Sequence, residues 1–130
     1  MKELIIGGVR ASVLRETYGT PLYVMDEELI RNTCQSFLSQ FKHPTVKTEV
    51  IYASKAFLTK AMARLIKEEG LSIDVVSGGE LYTAYKADFP MEKVYFHGNN
   101  KSLEELKMAL DLKVGTIIID NPSEFALLES

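Results

Sequence analysis

The chain has 130 residues, 46% of them hydrophobic and 25% charged, which is ordinary for a globular domain and unlike a disordered chain. A net charge of −3 offers no basic field for nucleic acid or an anionic membrane surface, and no apolar run reaches the roughly 20 residues of a membrane-spanning helix. The N-terminus shows no secretory h-region and the single cysteine, Cys34, rules out an internal disulfide framework, so a cytoplasmic setting is expected.

In chain order, "TPLYVMD" (Thr20 to Asp26) predicts a short strand that begins beside a proline. Asp26 then caps an amphipathic helix whose stripe is Leu29, Ile30, Thr33, Cys34, Phe37, Leu38 and Phe41, with Cys34 as a small core residue. "FKHPT" breaks the chain. Beyond it, apolar strand-like runs at 46–53, 71–76, 94–96 and 115–119 alternate with helix-like segments. Leu58, Ala61, Met62, Leu65 and Ile66 keep helical spacing, with Lys60, Arg64 and Lys67 opposite and Gly70 as the stop. "SLEE" (Ser102 to Glu105) has the form of a capping box, and "NPSE" (Asn121 to Glu124) supplies an N-cap, a first-turn proline and an early acid. A strand-to-strand repeat of about 20–25 residues predicts a parallel sheet with crossover helices, as an open doubly wound sheet or a (β/α)8 barrel. A barrel needs about 250 residues, so about four βα units make half of one, and the chain is expected to be a fragment.

Side chains alternate across a strand. That rule sets Ile51, Ala53 and Lys55 on one face of the first repeat. It puts Leu71, Ile73 and Val75 under the helices of the second, with Ser72, Asp74 and Val76 opposite. In "VYFH" it leaves Tyr95 and His97 on the inner side. Lys55, Asp74 and His97 therefore share an inner surface near the C-terminal strand ends, where α/β enzymes carry their chemistry. Each residue taken alone has a plainer reading: a snorkelling rim lysine, a structural ion pair, a loop histidine. "SGGE" (Ser77 to Glu80) and "HGNN" (His97 to Asn100) follow the second and third strands, and are expected to leave bare amide groups near the site. Neither is a nucleotide-binding loop. Ala53 leaves room beneath Lys55 for a flat ligand, and a lysine in an apolar mouth is expected to become a neutral amine. That chemistry suggests a Schiff base with pyridoxal 5′-phosphate.

"YASKAF", "DVVSGGEL" and "FHGNNKS", in this order and spacing, closely resemble the fold-type III pyridoxal-phosphate decarboxylases, and the likeness includes the leading "YGTPLYVMDEELI". "YASKA" is shared with ornithine and arginine decarboxylases and alanine racemases, whereas "FHGNNKS" leans towards the members acting on diaminopimelate. The resemblance implies that Lys55 carries the coenzyme, that Asp74 and Glu80 are acids lining its site, and that Ala53, Ser77, His97 and Asn99 lie near coenzyme or substrate. No metal site is expected. It further implies an alanine-racemase-like barrel, with residues 26–130 as its truncated first half. Residues 1–25 would pack beside a C-terminal β domain that is absent here. The implied reaction is decarboxylation of meso-2,6-diaminopimelate to L-lysine and carbon dioxide by a homodimer of the full-length enzyme, the chain alone being inactive. Ornithine, arginine or carboxynorspermidine are alternative substrates, and a non-catalytic homologue is the alternative of another class. The phosphate site, substrate arginines, pyridine-pairing acid and catalytic cysteine of such enzymes belong to later segments, so Cys34 is not equated with the last, nor His97 with the histidine that stacks on the coenzyme.

Overall fold

A computed structural model describes residues 3–129, which fall into two compact units, 3–40 and 41–129. The division follows the first long helix.

The first unit opens with a hairpin that the sequence reading did not anticipate. Strands β1 (Ile5–Ile6) and β2 (Val9–Arg10) pair antiparallel across Gly7 and Gly8, whose φ values of 54° and 77° suit the two-residue turn that matches strand twist. Helix α1 (Ala11–Tyr18) follows directly. The strand expected over 20–26 does not form: the segment has no ladder partner, and Tyr23 is 96% exposed. A strand is made by its neighbour's backbone, which an apolar pattern cannot supply. Asp26 caps helix α2 (Glu27–Gln40) as expected, accepting from the Leu29 amide at 3.1 Å, while its other oxygen accepts from the Gly7 amide at 3.0 Å. Cys34 is buried, but Leu29 and Phe37 of the stripe are exposed.

The second unit is a four-stranded parallel sheet in the order β3 (Ile51–Ala53), β4 (Ser72–Val75), β5 (Val94–Phe96) and β6 (Thr116–Ile117). Helices α3 (Lys60–Glu68), α4 (Gly78–Lys86), α5 (Leu103–Asp111) and α6 (Pro122–Glu129) follow the four strands in turn. The expected alternation is thus realised, with shorter strands: the first ladder begins only at Ile51, opposite Ser72. Ile73, Val75, Val94 and Phe96 are fully buried on one face, against Met62, Leu65, Ile66, Leu81, Ala84, Leu106 and Ala109 of the helices. At about 25 cal/mol per Å² of apolar surface, this layer is the principal stabilising feature of the unit. The other face is largely open: Ile51 and Ala53 are exposed and Asp74 and Tyr95 half-buried, while Ser72 is buried beneath Glu49. Among the described residues, no helix is long and apolar enough to cross a membrane.

Candidate active site

The register fixes the site. Ala53 pairs with Asp74, Asp74 with Tyr95, and Tyr95 with Thr116, so these four residues form one row across the open face. Parity placed Ala53, Asp74 and Tyr95 there, and they are there. Lys55 follows β3 in a short 3-10 turn, Ser54–Ala56. His97 is the last bonded residue of its strand, its amide donating to the Val75 carbonyl at 2.8 Å. Its ring spans two acids: Nδ1 is 3.9 Å from Asp74 Oδ2, and Nε2 is 3.8 Å from Asp120 Oδ1.

Asp74 is held in a costly setting. Burial pushes its carboxyl above the usual range, and the nearby His97 and Lys55 only partly oppose that. Its Oδ1 is buried without a hydrogen-bond partner. Lys55, in contrast, is exposed, so these strands do not furnish the apolar enclosure expected of it. An enclosing wall would have to come from a partner for the open face.

The turn after β4 differs in part from expectation, because its Val76, Gly78 and Glu80 amides have side-chain partners. Ser77 caps α4 through the Glu80 amide at 3.3 Å, and the Glu80 carboxylate returns to the Val76 amide at 2.6 Å. The Gly78 amide donates to Glu105 of the next helix at 2.6 Å. Glu105 also closes the capping box on Ser102, and these two backbone bonds hold its carboxyl below the usual range. Side chains of the neighbouring turns thus satisfy the Gly78 and Glu80 amides at the start of α4 and the Ser102 and Glu105 amides at the start of α5. Ser77 and Glu80 are therefore engaged in capping. Asn99 is exposed in the turn after β5, away from the Asp74 row in register.

Three residues near the site were not among the expected site residues. Asp120 ends the fourth strand segment, beside a helix start whose N-cap was recognised. Lys101 and Glu124 form an ion pair at 3.0 Å with side chains only 1% and 3% exposed. The available signal was the repeat of a capping residue followed three positions on by glutamate: Ser77/Glu80, Ser102/Glu105 and Asn121/Glu124.

Residues 27–130 match the family described as pyridoxal-dependent decarboxylase, pyridoxal binding domain. Diaminopimelate decarboxylase of Bacillus subtilis is 60% identical over 126 residues, covering 97% of this chain and 29% of the relative. That of Mycobacterium tuberculosis is 43% identical over 96% of this chain and 27% of its own length. Diaminopimelate decarboxylase of M. jannaschii, solved in co-complex with L-lysine, superposes with a TM-score of 0.86 at 38% identity, over 97% of this chain and 30% of that one. The chain thus spans about 30% of the length of the relatives it matches. As the family match runs through α2 and every strand and helix of the Lys55 sheet, the chain belongs to the pyridoxal-dependent decarboxylases.

Proposed function

We propose that this chain is the N-terminal part of a pyridoxal-phosphate-dependent amino-acid decarboxylase whose substrate is meso-2,6-diaminopimelate and whose product is L-lysine. The observation that carries the reading is the convergence of Lys55, Asp74 and His97 at one end of one sheet face. In this reading the four strands are the first half of an alanine-racemase-like (β/α)8 barrel, closed by strands outside residues 1–130. Residues 1–25 pack beside a C-terminal β domain, and the full-length enzyme is a cytoplasmic homodimer.

The residues fit the coenzyme. Lys55 offers an accessible amine in the turn that ends β3, and Ala53, two residues earlier, sets only a methyl group on the open face. The unpartnered Oδ1 of Asp74 is an orphan that a bound group can satisfy. The coenzyme phosphate would be held by segments outside this chain, as the resemblance to the family implies. When bound, pyridoxal phosphate supplies an electron sink for the pair left behind as carbon dioxide departs.

The chain's own groups divide the remaining work. Lys55 Nζ is the amine that would hold the coenzyme. Asp74 carries negative charge next to Lys55 and, with its carboxyl raised by burial, can take up or release a proton there. Asp74 and Asp120 together set a negative potential around His97, which favours the ammonium of an amino-acid substrate. Ser77 and Glu80 fix the turn after β4 that borders the site.

The test is a chimera in which this chain replaces the matching stretch of the Bacillus subtilis relative. We expect it to release carbon dioxide from diaminopimelate, and borohydride reduction with the coenzyme to label Lys55. Lys55→Ala should lower turnover by at least about 10⁴-fold, as expected when a covalent catalyst is lost. A folded chimera acting on ornithine but not diaminopimelate would replace the substrate. Full activity of Lys55→Ala would end the reading.

A further inference from the structure

Lys101 is a sealed cation. A buried ammonium carries a heavy desolvation cost that only a complete set of partners offsets. Lys101 has one: Nζ donates to the Gly98 carbonyl at 2.6 Å and the Ile118 carbonyl at 2.8 Å, and lies 3.0 Å from Glu124 Oε1. The other Glu124 oxygen accepts from the Asp120 amide at 3.1 Å, and the Glu124 amide is capped by Asn121 at 2.9 Å. Burial acts to raise the Glu124 carboxyl, yet Lys101 and the Asp120 amide hold it below the usual range, which favours the carboxylate facing Lys101.

The landing points of these bonds are informative. The backbone ladder between β5 and β6 ends where the Ile118 amide meets the Phe96 carbonyl, at 2.9 Å. Past that point the chain carries His97 on one side and Asp120 on the other. Lys101 grips the carbonyl of the residue after His97. Glu124 grips the amide of Asp120 itself. Together they take over where the ladder stops, across the two residues whose side chains approach to 3.8 Å. An apolar pair of similar volume would fill this space with no desolvation cost, but it could not direct bonds at those two turns.

We infer that Lys101 and Glu124 are positioning residues: their buried pair sets the spacing of His97 and Asp120, and Asp120 belongs to the Lys55 site. The inference rests on the proposed reading of His97 as a site residue. It identifies a device outside the open face that tunes groups on it.

The test uses the chimera with Lys101→Met and Glu124→Leu together, which removes both charges and leaves neither stranded. The folded double variant should lose about tenfold or more in kcat while KM stays within about threefold, the pattern of a misplaced catalytic group. Asp120→Asn should give a loss of similar size. In a His97→Gln background the double substitution should cost less than about threefold, because non-additivity marks groups acting through one another. An equal loss in both backgrounds would make the pair a structural clamp only and overturn the inference. A crystal structure of the coenzyme-free double variant should show His97 and Asp120 separated beyond ion-pair range, about 4 Å; an unchanged 3.8 Å would also overturn it. If the double variant does not fold, Lys101→Gln with Glu124→Gln, a neutral pair of similar volume, enters the same cycle. If His97→Gln leaves turnover intact while Lys55→Ala abolishes it, His97 lies outside the site and this inference falls alone. If both retain turnover, the proposed site falls with it.

Discussion

Asp74 sits in a place that is costly for a carboxylate. Its side chain is 22% exposed, one oxygen has no partner, and burial outweighs the help from His97 and Lys55. A carboxyl raised in the folded state favours the protonated form there, so its contribution to stability is most favourable below the unfolded value of 3.8. That contribution is lost as pH rises through the higher folded value. Asp74→Asn removes the ionisation. The variant should melt above the parent at pH 7, and the gap should shrink as pH is lowered through the folded value and towards 3.8, measured by thermal denaturation across pH. The chimera carrying the same substitution should lose decarboxylation, as expected where a site stores destabilising polarity. A melting gap independent of pH would show that the cost of Asp74 is not ionisation. Glu49 is the opposite case. The Ser72 hydroxyl, then the Tyr95 hydroxyl at 2.8 Å, hold its carboxyl below the usual range, so it is a satisfied acid on the same sheet.

At the scale of elements, the last three βα turns repeat one device: a capping side chain at the helix start and a glutamate three residues later that reaches back to a loop amide. Two of these starts were readable from "SLEE" and "NPSE", because capping is local chemistry. Strand parity was equally readable, and it put Ala53, Asp74 and Tyr95 on the open face, whereas Lys55 lies in the 3-10 turn after its strand, where parity no longer applies. The Lys101–Glu124 contact was not, since it joins residues 23 positions apart through a turn whose path depends on the packed helices. Nor was the strand expected at 20–26, which required a partner that the apolar pattern could not reveal. Gly115 shows the same dependence. It follows α5, its amide donates to the Met91 carbonyl at 2.9 Å, and a β-carbon there would overlap the Glu92 carbonyl oxygen. The clash is with backbone and cannot be relieved by rotating a side chain. Gly115→Ala should therefore cost about 2–4 kcal/mol in urea unfolding. A loss below about 0.5 kcal/mol would mean that the start of β6 moves freely.

Across the whole second unit, the sheet has one buried face and one open face, and β3 and β6 each leave an outer edge unpaired among the described residues. Unpaired edges recruit other strands. Ile51 lies on edge strand β3, on the Asp74 side of the sheet, and is 41% exposed. The 130-residue chain by itself should associate with increasing concentration, giving light-scattering masses above 14.6 kDa. Ile51→Lys should shift it towards the monomer, because a charge on an edge strand opposes pairing. The same substitution in the chimera should act in the opposite direction. There the proposed barrel closes over this face, a lysine at position 51 would be enclosed, and stability should fall by about 2 kcal/mol or more. Solubility improved in one setting and stability lost in the other would mean that this face is an interior waiting for its covering strands. If Ile51→Lys is harmless in a folded chimera, the open face remains open there too, and the barrel reading of these four strands fails.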